Sequence, residues 1–273
     1  MEMSPASARM LTGMLEQRTG QQIGPGRAWR MELALKQLMR EQRLDSLDAV
    51  ASRVAGGRDP RLADAVIEAL LNNETSFFRD AGMFQLLAEA ALPRLITARA
   101  ETRRLRIWSA GCSTGQEAFS LAMTVIDDPR LAGWAIDIVA TDVSRGAIDQ
   151  ARSGRYSQLE IQRGLPVRLM MRWFEREGAS DWIARPALRD RVRFHVHSLL
   201  DAAPLPARFD LVLCRNVLLY FDSATRRRVF DRLAGAIAPD GVLMLGAGET
   251  VIGQTERFAS DPDLRGLYRR AAS

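Results

Sequence analysis

Cysteine and histidine are scarce in this chain of 273 residues, with two of each, and Lys36 is the only lysine. Cys112 and Cys214 are too few for a disulfide framework or a thiolate cage, and His195 and His197 add too little for a zinc site. Catalysis is therefore expected to use neither metal nor thiol. No apolar run approaches the roughly 18 to 20 residues a membrane span needs, and the start MEMSPASARMLTGMLEQRTG lacks the basic-then-apolar order of a signal peptide. A soluble cytoplasmic protein, not inserted in a membrane, is the expectation. What the chain does hold is apolar material, 47% of residues, and a net charge of +5 carried almost wholly by arginine. With roughly 150 residues per domain as the guide, one large domain or a small and a larger one are expected. The basic excess is uneven: residues 152–193 contain ten arginines against Glu160, Glu175, Glu177, Asp181 and Asp190. This stretch could dock something acidic, or simply reflect an arginine-rich genome.

Helical punctuation fills the front of the chain. Ser4 and Pro5 read as N-cap and first helical residue, Leu11, Met14 and Leu15 as one face, and Gly20 as the stop. A second helix fits Trp29 to about Arg43, with Trp29, Leu33, Leu38 and Met39 at helical spacing. Ser46 opens a third that Gly56 and Gly57 close, and Asp59 caps a fourth behind Pro60, with Leu62, Val66, Ile67, Leu70 and Leu71 on its buried side. Residues 1–74 are accordingly read as a small all-helical domain. Residues 75–103 read as a linker and a helix from about Gly82 that Pro93 interrupts, and 104–273 as the catalytic domain. There, strands at Arg104–Ala110, Ala135–Thr141, Val192–Val196, Phe209–Cys214 and Gly241–Leu245 alternate with helices, the last following a turn at Pro239, Asp240 and Gly241. That alternation predicts an α/β fold with a doubly wound, mostly parallel sheet. About fifty residues separate the second and third strands, too many for one crossover helix, so a small subdomain is expected at about 155–192.

The first strand runs into Gly111-Cys112-Ser113-Thr114-Gly115-Gln116-Glu117, and small residues there let a ligand approach the carboxyl edge of the sheet. Neither a phosphate loop nor a dinucleotide fingerprint is present. Asp142, ending the second strand, is placed to take both ribose hydroxyls of a nucleoside, unless it merely caps the next helix, a task Ser144 could equally perform. Glu117 suits a cationic ligand, unless it is only a solvated residue in a first helical turn. A nucleoside cofactor without phosphate recognition points to S-adenosyl-L-methionine, whose sulfonium is cationic.

Four ordered segments, NNETSFFRD, WSAGCSTGQEAFSLAM, ATDVSRGAIDQARSGRY and FDLVLCRNVLLYFD, resemble the chemotaxis receptor methyltransferases of the CheR type over nearly the whole chain. The resemblance implies a class I methyltransferase that transfers methyl from S-adenosyl-L-methionine to glutamate carboxylates of chemoreceptors and releases S-adenosyl-L-homocysteine. By motif, Asn73, Thr75 and Arg79 match positions lining cofactor and active site, Gly111 the cofactor turn, Glu117 the methionine end and Asp142 the ribose. Arg215 and Asn216 match cofactor contacts and Tyr220 the active-site tyrosine, and Arg79 with the Tyr220 hydroxyl are expected to hold the acceptor carboxylate in line with the methyl group. Ser198-Leu199 stand where the family commonly has Asn-Leu, so that contact has a shorter reach. His195, His197, Cys112, Cys214, Phe77 and Phe78 are read as structural.

The partner so implied is the helical cytoplasmic region of a chemoreceptor, not nucleic acid. Gly178 is the one glycine in the stretch comparable to a tail-binding loop, which favours independence from a receptor tail peptide. Two rivals remain at this level: a class I methyltransferase acting on RNA, motivated by the positive charge, and a non-catalytic cofactor-binding signalling scaffold.

Overall fold

The computed structural model describes residues 3–24, 28–204, 208–264 and 266–271. The chain divides into two compact units, Met1–Asn72 with Tyr220–Thr225, and Asn73–Leu219 with Arg226–Ser273.

The first unit holds α1 (Pro5–Thr19), α2 (Ala28–Glu41), α3 (Leu47–Ala55) and α4 (Pro60–Leu70). Their starts follow from side chains that accept otherwise orphaned amide protons: Ser4 from Ser7, Ser46 from Ala49 and Asp59 from Leu62, at 3.3, 3.1 and 3.1 Å. Gly20 ends α1 in the left-handed region at φ 75°, as its sequence position predicts. α2 stops at Glu41, short of Arg43, which itself turns left-handed at φ 51°. Its inner face is Met31, Leu35 and Leu38, whereas Trp29 and Leu33 are each 63% exposed. Tyr220–Thr225 completes the unit: Gln22 N–H donates to the Tyr220 carbonyl at 2.7 Å, and Gln21 bridges Phe221 in antiparallel sense.

The second unit opens with α5 (Ala81–Leu86), a π-helical turn (Leu87–Ala91) and α6 (Leu92–Ala98). The interruption expected at Pro93 takes the form of the π-helical turn before it, and the helix resumes as α6. The widened turn carries the chain past the proline, and the Ala88 carbonyl, which a π-type bond would have joined to the amide proline lacks, accepts from Arg130 Nη2 at 3.0 Å. Then follow β1 (Arg104–Ala110), α7 (Gln116–Ile126), β2 (Ala135–Asp142) and α8 (Arg145–Ser153). The inserted subdomain comes next: β3 (Arg155–Ser157), α9 (Gln158–Gln162), α10 (Val167–Trp173), β4 (Phe174–Glu177), β5 (Asp181–Ala184) and α11 (Pro186–Arg189). β6 (Val192–Val196), β7 (Phe209–Cys214), α12 (Ser223–Ala236), β8 (Ile237–Leu245), β9 (Phe258–Ser260) and β10 (Leu267–Arg270) finish the chain.

The main sheet has the order β6-β2-β1-β7-β8-β10-β9, parallel from β6 to β8 and antiparallel beyond. The strand order therefore reverses between β1 and β7, where open α/β sheets bind ligands. A second, three-stranded antiparallel sheet, β3-β5-β4, forms the insertion after β2. One expectation fails locally, because Pro239 to Gly241 is not a turn before a strand. β8 already starts at Ile237, and the irregularity is absorbed as a register shift between Phe209 and Leu211. Leu105, Ile107, Phe119, Ile138, Leu211 and Leu213 fill the core, each worth roughly 1.5–3 kcal/mol when fully buried. Phe77 reaches into it, its ring 5.1 Å from that of Tyr156 and 5.5 Å from that of Phe174.

Candidate cofactor and active site

Beyond β1 the chain needs three left-handed residues to turn into α7: Gly111 (φ 83°), Ser113 (φ 51°) and Gly115 (φ 94°). A Cβ on Gly111 would lie 2.4 Å from Val217 Cγ2, so the position admits glycine alone. The Gly111 and Cys112 amides donate to the Thr141 carbonyl at 2.8 and 2.9 Å, and the Tyr156 hydroxyl donates to the Thr114 carbonyl at 2.7 Å. Asp142 spans the mouth of this turn, its Oδ2 accepting from Ser113 N–H at 2.8 Å and its Oδ1 from Ser144 N–H at 2.9 Å. The cap of α8 is Ser144, whose Oγ accepts from Ala147 N–H at 3.0 Å. Asp142 is thus released from the capping role that competed with ligand binding.

Glu117 is buried, not solvated. Its Oε1 accepts from Ser109 Oγ at 2.8 Å and its Oε2 from Arg215 Nη1 at 3.1 Å. Burial pushes its carboxyl above the ordinary range, while the Arg215 charge pulls the other way. The Arg215 side chain is 1% exposed. Its Nη2 donates to the Arg79 carbonyl and to Asp80 Oδ2, both at 2.8 Å, and Phe84 stacks under the guanidinium. Arg215 Nε is buried without a hydrogen-bond partner among the described residues. An unsatisfied N–H in so enclosed a place costs about 1–3 kcal/mol, which marks it as a donor prepared for something else.

The segment before α5 lies against this cluster. Ser113 Oγ donates to the Asn73 carbonyl at 2.7 Å, and Asn73 Nδ2 donates to Ser144 Oγ at 3.3 Å. Thr75 is half-buried in the same stretch. Phe78 and Asp80 occupy φ 47° and 58°, a conformation that costs a bulky residue of order 1–3 kcal/mol. Phe78 N–H is held by Ser120 Oγ at 2.9 Å. Between these two left-handed residues stands Arg79, whose Nη1 donates to a backbone acceptor among the described residues, the Glu74 carbonyl, at 3.2 Å.

Asn216 follows Arg215 at φ 59°. Ser198 Oγ accepts from Leu200 N–H at 3.2 Å, Leu199 is buried, and His197 N–H ties this stretch to the Asp142 carbonyl at 2.8 Å. Tyr220 belongs to the helical unit, where its hydroxyl accepts from Asn72 Nδ2. Cys112 and Cys214 are buried, and burial drives both thiols far above their ordinary range, which agrees with a structural role. Two residues of the cluster escaped the sequence reading. Asp80 was visible only as part of NNETSFFRD, and Glu249 was signalled faintly by Gly-Ala-Gly-Glu after β8, a smaller echo of the turn after β1.

A strand order reversing beside β1, a turn closed to any side chain and an acid ending β2 are the attributes of doubly wound folds that bind a nucleoside cofactor. Residues 73–263 match the family model described as CheR methyltransferase, SAM binding domain. The chain is 36% identical over 277 residues to chemotaxis protein methyltransferase 1 of Pseudomonas aeruginosa, covering 98% of this chain and all of that one. It is 34% identical to chemotaxis protein methyltransferase Cher2 of Pseudomonas putida over 89% of this chain and 90% of that one. It is 33% identical to the chemotaxis protein methyltransferase of Vibrio parahaemolyticus over 92% and 91%. The chain belongs to the CheR methyltransferase family: it binds S-adenosylmethionine and is a chemotaxis methyltransferase.

Proposed function

We propose that the enzyme esterifies glutamate side chains in the helical cytoplasmic region of a chemoreceptor. When bound, S-adenosylmethionine supplies a methyl group on a sulfonium. Glu117 is suited to its ammonium, Asp142 to its ribose, and Asn73, Thr75, Gly111, Ser198, Leu199, Arg215 and Asn216 are assigned to the remainder of its pocket. The donor set fits such a ligand, since two carboxylates and a guanidinium N–H without a partner among the described residues suit the two charges of an amino acid end and a ribose diol.

The observation that carries the choice of acceptor is Arg79. Its guanidinium holds a backbone carbonyl and, among the described residues, no carboxylate, while its backbone is fixed by strained neighbours and by Arg215. A receptor glutamate with pKa about 4.3 is ionised at neutral pH and needs no general base. Arg79 orients that carboxylate, and Tyr220 keeps the hydroxyl contact its motif implies. A tight bidentate pair would stabilise the reactant and slow transfer, so a constrained, partial contact serves better. Transfer annihilates two charges, and a drier pocket favours it.

Action in the cytoplasm and independence from a receptor tail peptide belong to the same proposal. No described helix is long and apolar enough to cross a membrane, and the β4–β5 turn carries the single Gly178. Incubation with methyl-tritiated cofactor and a receptor cytoplasmic fragment should give label that mild alkali releases as methanol. Base-stable label would overturn the proposal.

A further inference from the structure

Glu249 receives four backbone donors beside the cluster. Its Oε2 accepts from Asn216 N–H at 2.7 Å and Gly246 N–H at 2.9 Å; its Oε1 accepts from Val217 and Leu218 N–H at 3.0 and 2.8 Å. A Cβ on Gly246 would come 2.8 Å from Glu249 Oε2 and 2.9 Å from Asn216 N, so the carboxylate fits only because position 246 has no side chain. Asn216 lies at φ 59°, in the left-handed region that asparagine tolerates better than most side chains, so the loop geometry is set by what its amides bond. The amides of Val217 and Leu218 would otherwise be the orphans of the short turn Leu218–Tyr220.

We infer that Glu249 is a positioning residue for cofactor binding. It acts as an internal anion that fixes the loop after β7 and thereby presents Arg215 and Asn216 to the cofactor. The inference rests on reading those two residues as cofactor contacts. The requirement is for both oxygens, because each takes two N–H groups. A glutamine would turn its amide N–H₂ toward two donors and could not hold the loop.

The test is calorimetric titration of the full chain with S-adenosyl-L-homocysteine, comparing wild type, Glu249→Gln, Asn216→Ala and the double variant. Glu249→Gln should weaken binding about tenfold or more, and Asn216→Ala should add nothing further in that background, since the loop is already displaced. A residue that merely supports the fold would give losses that multiply. Should Glu249→Gln fail to fold, Glu249→Asp, one methylene short with its charge intact, is expected to weaken binding in the same way. Wild-type affinity in a folded Glu249 variant, or multiplicative losses, would overturn the inference. Asn216→Ala with wild-type affinity would remove it together with the contact reading. The titration involves no methyl acceptor, so its outcome is independent of whether that acceptor is glutamate.

Discussion

The two edges of the main sheet use the same residue types in different ways. At the amino edge, charges close on one another: Arg99 grips Asp210 at 2.7 Å and Asp240 at 2.6 Å, and Arg104 and Arg193 share Asp137 at 2.6 and 3.5 Å. At the carboxyl edge only part of the charge closes this way, where Arg215 holds Glu117 at 3.1 Å and Asp80 at 2.8 Å. Asp142 and Glu249 collect backbone N–H groups, burial works against the ionisation of Glu117, and Arg215 Nε has no hydrogen-bond partner among the described residues. Closed pairs belong to holding the fold, and so do carboxylates satisfied by backbone N–H groups, whereas a buried guanidinium with a spare donor is expensive unless a ligand completes it.

The comparison breaks first at Asp210. Its carboxylate takes both Arg99 and the Arg106 amide, so Asp210→Ala should cost about 3 kcal/mol by urea denaturation with cofactor affinity unchanged. A loss of affinity instead would erase the contrast. Next, Arg79→Ala should lower turnover on a receptor fragment by about a hundredfold and leave the melting temperature where it was; normal turnover would exclude Arg79 from the site. Asp142→Asn should then weaken binding of S-adenosyl-L-homocysteine about tenfold in calorimetry. The smallest effect is in pH dependence. Because burial raises the Glu117 carboxyl, protonation stabilises the unliganded fold as pH falls through that raised value. The same protonation removes the charge meant for an ammonium group. Cofactor affinity should therefore decline on the acid side sooner than an exposed glutamate would allow, and Glu117→Gln should flatten that limb.

Much of this was legible in the sequence because the causes are local. Ser4, Ser46 and Asp59 cap within three residues of themselves, and Gly111 sits next to the strand that demands it. What stayed hidden depends on partners far along the chain. Glu249 binds amides about thirty positions earlier, and Asp80 meets Arg215 across most of the unit. The arginines of 152–193 show the same limit from the other side. Counting charges makes that stretch strongly basic, yet Arg152, Arg163, Arg172 and Arg193 pair with Asp149, Glu74, Asp127 and Asp137, all outside it. The field this stretch can offer to the receptor region proposed as partner is weaker than the count implies, and salt dependence of that proposed docking should be correspondingly mild.

Tyr220–Thr225 has a consequence in time. The four helices of the first unit are made early in synthesis, but the segment that Gln21, Gln22 and Asn72 engage is translated roughly 150 residues later, tens of seconds at slower elongation rates. The nascent helical unit must therefore wait, its edge at Gln21 and Gln22 unpaired, until the Asn73–Leu219 portion of the second unit has been made, with Arg226–Ser273 still to come. A ribosome stalled before Tyr220 would display helices without their closing segment, which ties completion of the first unit to delivery of the tyrosine proposed to act in catalysis.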